Sequence, residues 1–481
     1  MGRTIGPFST ATDMLAALDA RDISAAELAE LHLARIEAHD GALNAIPVRT
    51  PERTRAAAVA ADAARARGEL GALLGLPMTL KESTQTAGLP QSAGIPLLKD
   101  HVPTGDGPIA RSVFGAGAGL LGKTNIPVAL GDWQADSPVY GRTNNPWDLG
   151  RTPGGSTGGG GAALAAGLTP LEIGSDIGGS IRVPAAYCGV YGHRPTETAI
   201  PHCGVFPFAD LPNAGAIMGV QGPLARSAFD LELLFDVVAG PDIGEDAGWR
   251  LALPAARHER LADFRVAIMP PLSLAQPSAA MHGRVDELAA FLGRAGATVR
   301  EAMPALDVDA YFRDYLVLLT TMTAQGQPRA EREARAAGMR GAGDPVATAI
   351  ADGLVLDAYD LQALLGRRGV AQAAWRAFFA DWDVLVCPTA LDAAFEHQSG
   401  PQETRTLAVD DRSVPYMLNI VYPMWAIFAG QPATAFPAGL DGRGLPLGLQ
   451  AIGPYLEDRT TLRFAQLLER EWQGFMPPPG Y

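Results

Sequence analysis

The chain has 481 residues, a length that fits two or three average domains or one large α/β unit. Hydrophobic residues make up 47% and charged residues 19% of the chain, an ordinary globular composition that argues against disorder. The formal net charge is −14, which disfavours a nucleic-acid partner because phosphate contacts require clustered Lys and Arg.

The sequence contains no pattern for membrane insertion or export. No uninterrupted apolar run reaches the ~20 residues of a membrane span, and the N-terminus lacks a basic region followed by an apolar core. Three cysteines, Cys188, Cys203 and Cys387, lack metal-ligand spacing and cannot form an even disulfide framework. We therefore expect a cytoplasmic protein with reduced thiols, no metal and no membrane partner.

Helical and strand patterns alternate along the chain. Residues 1–68 are predicted to form a helical arm, in which Ser24 to Glu27 is a capping box and Pro51 occupies a first helical position. Residues 69–240 contain short apolar runs broken by Gly and Pro, a pattern of strands with crossovers that predicts an α/β core.

The second half of the chain contains a mostly helical segment, 241–390, followed by a return to the core in 391–481. Its predicted elements, in chain order, are a strand at 264–269, helices at 282–295 and 358–380, a buried strand at 382–387, a long polar loop at 391–413, strands at 433–437 and 447–452, and a closing helix at 459–472.

Two glycine clusters, each with a central serine, lie in the stretch 151–195. One reads GGSTGGG around Ser156 and the other DIGGSIR around Ser180. Glycine allows a close approach of backbone to ligand, so the N–H groups of Ile177 to Ser180 can converge on one point. Such a nest binds an oxyanion, although an isolated Gly-Gly-Ser is more often a tight turn.

A serine nucleophile requires a base that accepts its proton. Of the 8 histidines, His193 and His202 are nearest to the clusters in sequence, but neither lies in a catalytic pattern, and we interpret both as structural. A lysine lies upstream, in the segment 75–82 that reads GLPMTLKE.

These motifs resemble those of the amidase-signature hydrolases, whose pattern is G-x-P-x-x-x-K-[DE], then GGSSGG, then D-x-GGS-[IV]-R-x-P. Lys81, Ser156 and Ser180 occupy the three key positions, with separations of 75 and 24 residues that are usual for the family. Further similar pieces are Lys123-Thr124-Asn125, residues 141–146 and residues 430–450, so the resemblance covers most of the chain.

The resemblance implies an α/β/α sandwich with a mixed central sheet surrounded by helices. It implies a cofactor-independent hydrolase of amides, of carbamates (urethanes) and, as a side activity, of esters. Lys81 would be the base, Ser156 a relay preceded by a cis peptide bond, and Ser180 the nucleophile that carries the acyl group. The expected partner is a small-molecule substrate, and the expected assembly is a monomer or homodimer.

Other residues are assigned secondary roles. The candidate oxyanion- or substrate-binding residues are Ile177, Gly178, Gly179, Leu130 and Gly131. We expect Asp176 and Arg182 to form a salt bridge that braces the nucleophile loop. Trp133, Tyr140 and Trp147 are interpreted either as acyl-pocket residues or as ordinary core aromatics.

The chain departs from the family pattern at two positions. Thr157 replaces the second serine of GGSSGG, and Gly160 replaces the serine often found three positions later. We expect neither change to touch the three catalytic positions and both to alter only secondary hydrogen bonds.

Three alternative functions remain. The first is an ammonia-releasing component of a complex, similar to the glutamine-hydrolysing component of an amidotransferase. The second is a non-catalytic binding protein, which three filled catalytic positions disfavour. The third is a nucleotide-binding protein, because residues 117–124 match the phosphate-loop pattern G-x-x-x-x-G-K-[ST]. A true phosphate loop opens a helix, and Pro127 follows too closely here.

Overall fold

The computed structural model describes residues 4–205, 217–341 and 343–481. Within these residues, 11 strands form one mixed sheet. The strands in chain order are β1 (Val48–Arg49), β2 (Pro77–Lys81), β3 (Gly119–Thr124), β4 (Asp136–Ser137), β5 (Gly141–Arg142), β6 (Leu171–Asp176), β7 (Tyr191–Arg194), β8 (Val220–Ala225), β9 (Arg265–Ile268), β10 (Thr298–Glu301), β11 (Val384–Pro388), β12 (Thr406–Val409), β13 (Arg412–Pro415), β14 (Ala433–Leu440) and β15 (Pro446–Ile452).

The spatial order of the sheet is β1-β3-β2-β6-β8-β7-β14-β15-β11-β9-β10, while β4–β5 and β12–β13 form two small separate sheets. Strands β3, β2 and β6 are parallel, as are β11, β9 and β10, and the strands between these two groups pair antiparallel. This arrangement confirms the predicted mixed sheet.

Helices pack against both faces of the sheet. They are α1 (Ala11–Ala20), α2 (Ala25–Leu43), α3 (Pro51–Ala66), α4 (Pro108–Gly115), α5 (Gly158–Ala165), α6 (Arg182–Cys188), α7 (Ala228–Val238), α8 (Ala279–Arg294), α9 (Val308–Thr323), α10 (Arg329–Arg340), α11 (Pro345–Leu354), α12 (Ala358–Asp381), α13 (Met424–Ala429) and α14 (Asp458–Glu471).

Two large apolar clusters fill the spaces between sheet and helices. One joins the sheet to α1, α7, α8 and α14, and the other joins it to α6, α9, α12 and α13. Because both faces are covered, the central strands are buried along their whole length; β6, for example, is buried at all six positions. These layers form the predicted α/β/α sandwich.

Most predicted elements are present near their expected bounds. The capping box of Ser24 and Glu27 opens α2, and Pro51 is the first residue of α3. The segment 241–390 supplies β9, β10 and β11 to the central sheet in addition to its helices. The predicted loop at 391–413 is wrong in part, because β12 and β13 form an antiparallel pair there.

Candidate active site

The candidate site lies where the parallel strands β2 and β6 end. Lys81 is the last residue of β2 and Asp176 is the last residue of β6, so both lie at the same edge of the sheet. Ser156 immediately precedes Thr157, the residue before α5, and Ser180 lies two residues before α6. The fold therefore brings together three segments that are far apart in the sequence.

The Lys81 amine contacts three hydroxyl groups. Its Nζ lies 2.7 Å from Ser156 Oγ, 3.0 Å from Thr157 Oγ1 and 2.9 Å from Ser175 Oγ. The peptide bond between Gly155 and Ser156 is cis. The structure thus places the sequence-predicted base and relay in direct contact.

Lys81 is fully buried, and burial lowers the pKa of its amine from 10.5 to about 7 because desolvation disfavours the ammonium form. The negative charges of Glu172 and Asp176 act in the opposite direction. A free amine, which is the form able to accept a proton, is therefore well populated near neutral pH.

Ser180 and Ser156 line one cavity of about 380 Å³. Ser180 is 7% exposed, and its carbonyl accepts a hydrogen bond from the N–H of Thr157 at 3.2 Å. Ser180 is thus at the wall of a space large enough for a small-molecule substrate.

The loop that carries Ser180 is braced by Asp176. The Arg182 guanidinium donates to this carboxylate at 3.0 Å, and both side chains are fully buried, which confirms the predicted salt bridge. Arg194 lies 3.8 Å from the same carboxylate. The two guanidinium groups keep the pKa of Asp176 low, at about 2, although its burial acts to raise it.

Hydrogen bonds to the loop carbonyls orient its amides. Tyr315 donates its hydroxyl to the Ile177 carbonyl at 3.0 Å, and Trp133 Nε1 donates to the Gly178 carbonyl at 2.9 Å. The N–H of Gly179 donates to Asp176 at 2.9 Å, so it stabilises the loop and is already hydrogen-bonded. The N–H groups of Ile177, Gly178 and Ser180 are the remaining candidates for an oxyanion.

Leu130 and Gly131 also line the cavity. Their N–H groups donate to the carbonyls of Pro127 and Val128 at 3.2 and 3.1 Å. These two residues therefore form part of the cavity wall, but their amide groups are already hydrogen-bonded within the loop.

Two contacts of Lys81 were not foreseen from the sequence. Ser175 is absent from the predicted site residues, and the expectation that Thr157 would not touch the catalytic positions is wrong, since its hydroxyl lies 3.0 Å from Lys81 Nζ. Ser175 had no motif signal of its own, because its contact with Lys81 depends on the pairing of β6 with β2. The signal for Thr157 was its position beside Ser156.

The three aromatic residues have different surroundings. Trp133 lines the cavity. The Tyr140 hydroxyl instead donates to Glu82 at 2.7 Å, and Trp147 Nε1 donates to the Cys188 carbonyl at 3.0 Å. One of the three thus belongs to the pocket, while the other two support the surrounding structure.

Neither histidine near the clusters contacts Lys81. His193 is buried against Thr434 and Asp458, at 2.9 and 3.2 Å. His202 lines the cavity, and burial lowers its pKa to about 4, so its imidazole is neutral over the physiological range.

The phosphate-loop match lies in a setting that differs from that of a nucleotide-binding loop. Residues Gly119–Thr124 form strand β3, and this strand is buried at all six positions. The Lys123 amine donates to the Pro90 carbonyl at 2.5 Å. The side chain that would contact a phosphate is therefore enclosed in the core.

Apolar side chains make up a large part of the cavity wall. They include Leu316, Leu319 and Met322 of α9, Leu354 of α11, and Ile420. No helix in the described ranges is long and apolar enough to cross a membrane. Over the same ranges, no group of three His, Cys, Asp or Glu side chains is placed to hold a metal ion.

Comparison with known proteins identifies the family of the chain. The profile of the Amidase family matches residues 27–462. The chain is 33% identical to an indoleacetamide hydrolase of Bradyrhizobium diazoefficiens, over 93% of this chain and 84% of the relative. It is also 33% identical to a glutamyl-tRNA(Gln) amidotransferase component of Gluconobacter oxydans, over 94% of each chain.

Among solved structures, the fold is similar to that of a bacterial aryl acylamidase of the amidase-signature family. That structure superposes with a TM-score of 0.81 at 24% identity and covers 97% of this chain and 96% of its own. The chain therefore belongs to the Amidase family and is a hydrolase of carbon–nitrogen bonds other than peptide bonds.

Proposed function

We propose that the chain hydrolyses neutral, apolar amides, and also carbamates and esters, through an acyl group carried on Ser180. The observation that carries the proposal is the 2.7 Å contact between Lys81 Nζ and Ser156 Oγ at the wall of the cavity that Ser180 also lines. In this mechanism Lys81 is the base, Ser156 the relay and Ser180 the nucleophile.

The first half of the reaction forms the ester on Ser180 and releases the amine. Free Lys81 takes the proton of Ser156, Ser156 takes that of Ser180, and Ser180 Oγ attacks the carbonyl carbon. The amide N–H groups of Ile177, Gly178 and Ser180 are the proposed donors to the oxyanion. When the carbon–nitrogen bond breaks, the amine leaves with the proton held by Lys81, and the acyl group remains as an ester on Ser180.

In the second half, water replaces the amine. Its proton passes along the same relay while its oxygen attacks the Ser180 ester, and the carboxylic acid leaves as the serine hydroxyl is restored. No step needs a group from outside the chain other than substrate and water.

The charges around the cavity support a neutral substrate. Asp176 is paired with Arg182 at 3.0 Å, and Asp132 accepts from Arg405 at 2.6 Å. At the outer wall Arg335 lies 3.5 Å from the carboxylate of Glu403. Each charged side chain that lines the described part of the cavity already has a partner of opposite charge.

The second candidate is an ammonia-releasing component of a complex, acting on glutamine. The identity of 33% to a glutamyl-tRNA(Gln) amidotransferase component favours it. Glutamine carries an ammonium and a carboxylate that would need counter-charges, and the paired charges at the described cavity wall do not provide them. We therefore place this function second.

A substrate panel with the purified chain tests the proposal. It contains an anilide, the same anilide with a carboxylate on its acyl chain, a primary aryl-alkyl amide, an N-aryl carbamate and glutamine. We expect the neutral anilide to exceed its carboxylate analogue in kcat/KM by about 10- to 100-fold, as expected for an unpaired charge entering an apolar pocket. Ammonia release from glutamine as the dominant activity would instead support the second candidate. Ser180→Ala provides the background rate.

A further inference from the structure

Four consecutive carbonyl groups, those of residues 176–179, accept hydrogen bonds in the loop that leads to Ser180. At the first of them, Arg194 of β7 donates from Nη1 at 2.7 Å. At the last of them, which belongs to Gly179, the N–H of Val183 in α6 donates at 2.7 Å. The backbone of the loop is therefore held at both ends by neighbouring elements of the fold.

The two middle carbonyls accept from side chains of distant segments. Tyr315 of α9 donates its hydroxyl to the Ile177 carbonyl at 3.0 Å, and Trp133 Nε1 donates to the Gly178 carbonyl at 2.9 Å. The peptide bonds of this loop are trans. In a planar trans peptide the carbonyl and the N–H of the next residue point in opposite directions. Each donor therefore also fixes the direction of the following N–H.

The two middle donors fix amides of different kinds. The N–H after the carbonyl bound by Trp133 is that of Gly179, which already donates to Asp176 at 2.9 Å. The N–H after the carbonyl bound by Tyr315 is that of Gly178, which has no acceptor among the described residues. Gly178 also lines the cavity. Of the two donors, only Tyr315 thus orients an amide that is available to a substrate.

Tyr315 acts from behind the loop. Its side chain is fully buried, and although Leu316 and Leu319 of the same helix line the described part of the cavity, Tyr315 does not. Burial raises the pKa of Tyr315 well above its usual value of 10.0, so the hydroxyl keeps its proton and remains a donor. The hydroxyl therefore reaches the reaction only through the Ile177 carbonyl.

We infer that Tyr315 is a positioning residue: by binding the Ile177 carbonyl, it directs the N–H of Gly178 toward the oxyanion that forms when Ser180 attacks the substrate. The inference rests on the proposed function of Ser180. Helix α9 then contributes to the reaction twice, through the leucines of the cavity wall and through the Tyr315 hydroxyl.

The first test compares Tyr315→Phe with Tyr311→Phe. Tyr311 is the matched control, because it is a buried tyrosine one turn earlier in α9 and donates its hydroxyl to the Trp425 carbonyl at 2.9 Å. Each variant loses one oxygen atom and one buried hydrogen bond, so both should unfold cooperatively with a similarly lowered Tm.

Only Tyr315→Phe should lose activity. We expect its kcat to fall by about 10- to 100-fold with KM unchanged, because a misdirected amide weakens the stabilisation of a charge that exists only in the transition state. Tyr311→Phe should keep the kcat of the wild type. An unchanged kcat in Tyr315→Phe, or an equal loss in both variants, would overturn the inference.

The second test uses a trifluoromethyl ketone that carries the acyl group of the anilide. Ser180 Oγ adds to its carbonyl carbon, the Ser180 proton passes through Ser156 to Lys81, and the ketone oxygen becomes an oxyanion. In Tyr315→Phe we expect the ketone to bind about 10- to 100-fold more weakly, and the corresponding alcohol, which forms no oxyanion, to bind as in the wild type. In Tyr311→Phe both affinities should be unchanged.

The two inhibitors separate a failure of the inference from a failure of the proposed function. An equal loss of alcohol and ketone affinity in Tyr315→Phe would indicate a general packing effect and overturn the inference. If Ser180→Ala loses the tight binding of the ketone while Tyr315→Phe keeps both kcat and ketone affinity, only the inference fails. If Ser180→Ala binds the ketone as tightly as the wild type does, the proposed function fails first.

Discussion

At the residue scale, the site consists of an amine buried among hydroxyl groups. Lys81 Nζ contacts the hydroxyls of Ser156, Thr157 and Ser175, none of which carries a charge. Because hydroxyls stabilise an ammonium less well than bulk water does, burial moves the pKa of Lys81 down to about 7. This shift would give the proposed base a free amine near neutral pH.

Lys81→Ala should remove the pH dependence that the base creates. In the wild type we expect kcat/KM to rise as pH increases through about 7, since only the unprotonated amine accepts the Ser156 proton. The variant should lose about 10²–10⁴-fold in rate together with the rising limb. The exposed Lys99→Ala is the control. A pH–rate profile of Lys81→Ala that keeps the same limb would contradict the assignment.

Ser156→Ala should lower the activity of the protein and leave its fold intact. The variant loses the hydroxyl that lies 2.7 Å from Lys81 Nζ, and we expect a fall in kcat of about 10²–10⁴-fold with cooperative unfolding preserved. Ser112→Ala, in α4 outside the cavity, is the control. Near wild-type turnover in Ser156→Ala would make the glycine cluster around Ser156 a packing turn.

The residues that the sequence predicted and those that it missed differ for a physical reason. Lys81, Ser156 and Ser180 stand in motifs with fixed spacing, so a pattern could find them. Ser175 reaches the site only through the register of β6 against β2, which no local pattern encodes.

At the element scale, α5 is packed against neighbouring backbone through its glycines. A Cβ atom at Gly159 would lie 2.3 Å from the N atom of Asn125 and 2.6 Å from the carbonyl oxygen of Ala45. Backbone atoms cannot move away as a flexible side chain can. The glycine-rich start of this helix is therefore needed for the close approach that holds Ser156 at the sheet edge.

Gly159→Ala should destabilise the protein, although alanine is the better helix former. We expect the free energy of unfolding to fall by about 1–3 kcal/mol or more, because the added methyl overpacks the site. The matched control is Gly283→Ala in α8, where a Cβ meets nothing within 4 Å; it should be more stable by about 1 kcal/mol. Urea titrations in which both variants gain stability would contradict this packing.

Two element predictions show the limits of local patterns. Residues 117–124 match the phosphate-loop pattern, but most of them form the buried strand β3. A pattern of residue types alone does not predict that burial. In the predicted loop at 391–413, Thr406–Val409 alternates between exposed and buried positions. That two-residue period was a strand signal, but a four-residue strand is too short for it to be distinctive.

At the scale of the whole molecule, the sheet order joins distant parts of the chain. Strand β6 lies between β2 and β8, and β7 separates β8 from β14. Alternating patterns predicted an α/β fold but not this order, because strand neighbours are decided by long-range packing. The helices α9 and α11 then supply the apolar wall of the cavity.

The chain should act alone and without added metal or nucleotide. Base, relay, nucleophile and amide donors are all proposed from its own residues, and the Lys123 amine is bonded to the Pro90 carbonyl. We expect anilide turnover to survive dialysis against a chelator and to be unaffected by ATP. Calorimetric ATP binding at micromolar affinity that Lys123→Ala abolishes would contradict this account.

The most direct measurement is the intact mass of the protein after treatment with a fluorophosphonate. Attack by an activated serine on phosphorus expels fluoride and leaves one stable adduct. We predict a single adduct on the peptide that contains Ser180, slow labelling in Lys81→Ala, and none in Ser180→Ala. Adduct formation that persists at the wild-type rate in Ser180→Ala would contradict the central claim that Ser180 is the nucleophile.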